Sequence, residues 1–153
     1  MYTNEFFTVD SAMTAAAQAT PSPLVSFVIL ADRAEAINGK LYLMGGCWDR
    51  LQLPTFPVAY SVGLAASIEF PAGTTPGRHV VAFKITGPGV PSLVPNGVEF
   101  DLQAVAPRSE RALIALAAIA TLPEAGEYVI EVTVDGSGGS TTHFSAEQSL
   151  ISE

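Results

Sequence analysis

The chain contains one cysteine, Cys47, so no disulfide can form within it. A lone thiol fits a reducing compartment and leads us to expect a cytoplasmic protein. Basic residues are scarce, seven Lys and Arg against fifteen Asp and Glu, for a formal charge of −8. Such a field repels phosphate backbones and anionic lipid headgroups. The nearest approach to a basic pair, Arg108 and Arg111, is interrupted by Glu110, and no basic stripe alternates with aromatics. Nucleic acid is therefore not an expected partner. Long apolar runs are also missing. The longest, Ala112 to Ala120, falls far short of the ~20 residues that a spanning helix needs, so no membrane partner is expected. Ala17-Gln18-Ala19 imitates a leader-peptide cleavage site. Yet Glu5 and Asp10 stand where a basic start and an apolar centre belong, and the first basic residue is Arg33.

Recognised catalytic and metal-binding patterns are absent. There is no CxxC, no HExxH and no Gly-x-Ser-x-Gly elbow, and only two histidines, His79 and His143. The glycine-rich run Gly136 to Ser140 lacks the Lys-Ser/Thr ending of a phosphate-binding loop. Cys47 has no base beside it in sequence and falls in a stretch that reads as strand, so a buried structural thiol is expected. Asp32, Glu35 and Asp49 flank one hairpin. A two-residue turn there sets Asp32 opposite Gly45 and Asp49 opposite Val28, which separates the two aspartates by roughly 13 Å at about 3.3 Å per residue, too far to share an ion. No catalytic, cofactor-binding or metal-binding residue is assigned, no cofactor is expected, and the chain reads as a non-enzyme.

What is present is strand and turn. The 153 residues suit one domain, with thirteen Gly and eleven Pro dividing short apolar runs. Residues 1–22 are polar and small and close on Thr20-Pro21-Ser22-Pro23, which reads as an N-terminal arm or tail ahead of a domain at 23–153. Leu24 to Leu30 reads as a strand buried on both faces. Asn38-Gly39 signals a type I′ hairpin turn into Lys40 to Leu43, and Gly45-Gly46 signals a bulge before Cys47, Trp48 and Leu51. Val58 to Phe70, His79 to Thr86 and Val98 to Ala104 alternate as further strands, the last two separated by a proline-rich loop at 87–97. Arg111 to Leu122 has the Ala and Leu content of a helix, but its bracketing prolines and its place among strands favour a doubly buried strand. Glu127 to Asp135 alternates cleanly, Gly136 to Ser140 reads as a turn, and Thr142 to Ile151 as the last strand. The sum is an all-β, immunoglobulin-like sandwich of about eight mostly antiparallel strands.

Leu30-Ala31-Asp32, Asn38-Gly39-Lys40-Leu41, Gly45-Gly46, Asp49-Arg50, Pro54 and Phe56-Pro57, with Leu122-Pro123-Glu124-Ala125-Gly126-Glu127-Tyr128 and Val134-Asp135-Gly136, resemble a bacterial family catalogued only as a domain of unknown function. These stretches span residues 24 to about 145. The resemblance implies a small β-sandwich and supplies no activity, substrate or site residue. Gly126-x-Tyr128 also resembles the tyrosine corner of immunoglobulin-like domains, with Ile130 where antibodies carry a cysteine.

The function expected on these grounds is a structural or protein-interaction module that presents a surface, as a homo-oligomer or an assembly subunit. Tyr42, Trp48 and Phe56 are the candidate contact residues in the domain, because aromatics anchor interfaces. Phe6, Phe7 and Val9 are the candidates in the arm, where they would pair with a neighbouring subunit's sheet edge. The rival is a small-ligand-binding sandwich with a pocket between the sheets or under the 87–97 loop. A hydrolase with scattered catalytic residues comes last.

Overall fold

A computed structural model describes residues 20–91, 96–102 and 108–150. They form β1 (Leu24–Ile37), β2 (Lys40–Gly46), β3 (Arg50–Leu53), β4 (Val58–Phe70), β5 (Gly77–Thr86), β6 (Asn96–Leu102), β7 (Glu110–Leu122), β8 (Gly126–Val134) and β9 (Ser137–Gln148). Two sheets result, one ordered β2-β1-β4-β7 and the other β3-β9-β8-β5-β6. Every pairing is antiparallel except β3 with β9. The chain is an all-β protein of two sheets, compatible with an immunoglobulin-like sandwich.

The alternation legible in the sequence builds the core. Val62, Leu64, Ala66 and Ile68 project inward from β4, and Tyr128, Ile130, Val132 and Val134 from β8; all eight are buried. Each aliphatic side chain of Val, Leu or Ile size removed from water contributes about 1.5–3 kcal/mol. The Tyr128 ring stacks on Phe144 of β9 with centroids 5.2 Å apart, and its hydroxyl donates to the Glu124 carbonyl at 2.6 Å. That bond ties the start of β8 to its own approach, which is the tyrosine-corner arrangement.

The Asn38-Gly39 turn takes positive φ at both residues, 50° and 70°, and pairs Ile37 with Lys40 as a two-residue type I′ connection requires. Nothing lies within 4 Å of the position a Gly39 Cβ would occupy, so a side chain there meets strain and no clash. We expect Gly39→Val to cost about 1–2 kcal/mol, the penalty of a left-handed residue with a Cβ. A thermal melt checks it, and an unchanged midpoint would contradict the turn assignment.

Several expectations are corrected. The first strand does not stop at Leu30 but continues through Ile37. The described residues hold nine strands, where about eight are read from the sequence, because Arg50–Leu53 leaves the first hairpin and joins the opposite sheet beside β9. Positive φ at Gly45 (57°) and Cys47 (65°) turns the chain across that corner. Asp49 consequently does not lie opposite Val28; its carbonyl accepts from Ser145 N at 2.8 Å, and it is Arg50 that pairs with Glu147. Cys47 sits at the bend with its thiol exposed, contrary to the expected buried strand position. The last turn is Asp135-Gly136, and β9 begins at Ser137, so residues 137–140 are strand rather than loop.

Candidate interaction surface

β7 is a strand, as read, but not a doubly buried one. It is an edge: β4 pairs with it residue for residue from Val58–Leu122 to Phe70–Glu110, and no described residue pairs with its other side. Ala117, Ala118 and Ile119 are exposed, and Ile119 retains 78% of its accessible surface. From Ala112 to Leu122 the strand holds no charge, glycine or proline. Proteins normally guard such edges with charge, shortness, bulges or glycine bends. The other edges here are guarded. β3 has four residues and carries Arg50; β6 has seven and carries Glu99 and Asp101; β2 starts at Lys40 and ends in Gly45-Gly46.

The distal half of the β1–β2 hairpin leans over the outer face of β4 so that both its strands approach β7. Ala34 is buried there, with its amide over Gly63. The opposite face of the hairpin shows Ile37, Tyr42 and Met44, all exposed. Tyr42 therefore belongs to the surface. Trp48 does not stand free: it is half-buried, edge-on to Tyr60 at 6.3 Å and to Phe144 at 5.6 Å, and closes the core at the sheet-switching corner. Phe56 likewise packs against the core from the β3–β4 connection. Phe6, Phe7 and Val9 lie outside the described residues. Ile119 and Met44, which the sequence reading missed, are the most exposed large apolar residues within the strands. The signal that could have found Ile119 is the unguarded eleven-residue run itself.

His79, buried against Phe70, holds Asp135 at 2.7 Å through Nδ1 and faces the Thr75 carbonyl at 3.2 Å through Nε2. Asp135 also accepts from Val80 N at 2.9 Å, so this cluster fastens the β8–β9 turn to β5. Asp32, Arg33 and Glu35 line an open cleft of about 470 Å³ with Ser61, Gly63 and Ala117, and Arg33 pairs with Glu35 inside it. Burial pushes the Tyr60 phenol pKa up, and the Asp32 charge adds to the effect. A second cleft, of about 130 Å³, runs between β6 and β7 beside Phe100, Leu102 and Ala112. Among the described residues no three His, Cys, Asp or Glu side chains converge as metal ligands. No described helix is long and apolar enough to cross a membrane.

The model of a family of unknown function, DUF6941, matches residues 26–147. The chain belongs to this family. The matched span runs from within β1 to within β9, so both sheets and the β7 edge are part of the DUF6941 domain. No curated protein matches the chain.

Proposed function

We propose that this DUF6941 domain is a non-catalytic protein-interaction module of the cytoplasm that takes up an extended polypeptide strand along β7. The observation that carries the reading is the unguarded edge: a thirteen-residue strand, free of charge from Ala112 to Leu122, with its outer row of backbone groups unpaired among the described residues. An added strand satisfies those groups through main-chain hydrogen bonds and covers Ile119. The hairpin residues Tyr42 and Met44 extend the apolar surface beyond the strand. A single exposed thiol, Cys47, is compatible with a reducing compartment.

Photocrosslinking in the cells that make the protein tests this reading. A photoreactive amino acid at Ile119 should capture polypeptide whose crosslinked peptide can be sequenced. The same group at Val80, exposed on the outer face of the other sheet, should not. Equal capture from both positions, or none from Ile119, would remove the basis for the reading.

A further inference from the structure

We infer that His79 carries a proton on both ring nitrogens, and that the resulting charge latches the β4–β5 connection, residues 71–76, to the β8–β9 turn. The latch closes while the ring is charged and opens when one proton leaves.

Donors and acceptors decide the proton count. Nδ1 stands 2.7 Å from Asp135 Oδ2, and Nε2 stands 3.2 Å from the Thr75 carbonyl oxygen. A backbone carbonyl only accepts, so Nε2 bears a proton. Asp135 is fixed in place: its Oδ1 accepts from Val80 N at 2.9 Å, and its own N donates to the Val80 carbonyl at 2.8 Å. The contact between Oδ2 and Nδ1 therefore needs a second proton. Of the two partners the carboxylate is the hydrated one, 38% exposed against 10% for the imidazole, so it is the carboxylate that stays charged and the ring that holds the proton. A neutral imidazole has one N–H and serves only one of the two acceptors.

Little else competes for the ring. Phe70 of β4 presents only its own ring, with centroids 5.2 Å apart. On β6, Phe100 pairs with His79 and is flanked by Glu99 and Asp101, of which Glu99 is taken by Arg78 of β5. Glu110 and Arg111 of β7 lie in the cleft beside Phe70 and Phe100. Residues 71–76 hold no charge. Among the described residues Asp135 is the one carboxylate within ion-pair distance of His79.

Loss of a proton acts on one side only. The remaining N–H stays with the carboxylate, because a hydrogen bond to a charged acceptor is the stronger. Nε2 then turns a lone pair toward the Thr75 oxygen, and that contact becomes repulsive. The bonds from Thr74 N and Oγ1 to the Pro71 carbonyl, at 3.0 and 2.6 Å, are internal to the connection and do not fasten it to β5. Rising pH thus loosens residues 71–76, while the bonds between Val80 and Asp135 still hold the β8–β9 turn. A Cβ at Gly73 would lie 3.4 Å from Pro21, so the loosening reaches the segment that leads into β1.

Asp135→Asn separates a proton latch from a passive contact. Asp135 has φ 51°, a conformation that asparagine adopts readily. The single amide oxygen takes the Val80 N–H, which leaves the NH2 group to donate to Nδ1. The ring then needs only the Nε2 proton, and the connection is held by a neutral imidazole.

Nuclear magnetic resonance of the full chain tests this, with exposed His143 replaced by Gln so that one imidazole reports. At neutral pH both His79 nitrogens should be protonated. Raising the pH until one proton leaves should shift the amide signals of Ala72, Gly73, Thr74 and Thr75 and leave those of residues 33–44 in place. Asp135→Asn should show a proton on Nε2 alone at neutral pH, with the same four amides unmoved as the pH rises further. A wild-type ring with a single proton at neutral pH overturns the inference, and so does a ring that loses its proton without moving those amides. The wild-type spectra decide the matter alone if Asp135→Asn does not fold.

Discussion

Tyr128→Ala should destabilise the domain by about 3–5 kcal/mol, the range for removing a buried aromatic ring. In a domain of this size that is roughly 10–15 °C in melting temperature. The ring is fully buried and stacked on Phe144, with interplanar angle 11°. It is also pinned from the far side: a Cβ added at Gly87 would lie 2.3 Å from the Tyr128 ring, so the chain passes there without a side chain. Truncation therefore leaves a cavity between the Phe144 ring and the Gly87 backbone. Tyr128→Phe separates the ring from the hydroxyl. It removes only the bond to the Glu124 carbonyl, and Glu124 is exposed, so water can replace the donor; about 1 kcal/mol is expected. A Tyr128→Ala protein melting within a degree or two of the wild type would show that this stack does not organise the core.

Much of the fold is legible in the sequence because its signals are local. Asn38-Gly39 specifies its turn through backbone preference alone, and the alternation from Tyr128 to Val134 specifies a face. The misread places are those where a distant segment decides. Gly138 looks like loop, yet it lies in β9, and a Cβ there would come within 2.7 Å of the Pro23 carbonyl. Glycine is required there both by the positive φ of 60° and by the approach of the Pro23–Leu24 backbone. The corner at Gly45 to Cys47 reads as a bulge because positive φ at a cysteine leaves no trace in residue type. β7 reads as doubly buried because an Ala- and Leu-rich strand has the same composition at a sheet's centre and at an unguarded edge. Which it is depends on whether another strand comes to pair with it, and that is a question of topology. The candidate surface was legible to the same extent: Tyr42 alternates outward on its own strand, whereas Trp48 is drawn inward by Tyr60 and Phe144, both far from it in sequence.

Gly63→Val should be the most disruptive substitution on the outer face of the sheet. Gly63 lies in the middle of β4, paired with Ala31 on one side and Ala117 on the other. Space is the constraint. A Cβ there would meet Ala34 N at 2.8 Å and the Arg33 carbonyl carbon and Cα at 2.9 Å. These are backbone atoms of β1, which cannot step aside as a flexible side chain can. The distal hairpin must lift off β4 to admit the new side chain. The cost is that of overpacking, about 2–3 kcal/mol, together with exposure of Ala34. Because the inward neighbours Val62 and Leu64 are untouched, the core should survive while the hairpin loosens. Hydrogen exchange resolves the two: amides of residues 33–44 should lose protection, and those of β8 and β9 should lose only what the lower global stability dictates. Gly63→Ala should show the same pattern at smaller amplitude. If Gly63→Val instead melts like the wild type with residues 33–44 still protected, the hairpin does not cross β4 at this point. The surface built from Tyr42, Met44 and β7 would then have to be redrawn.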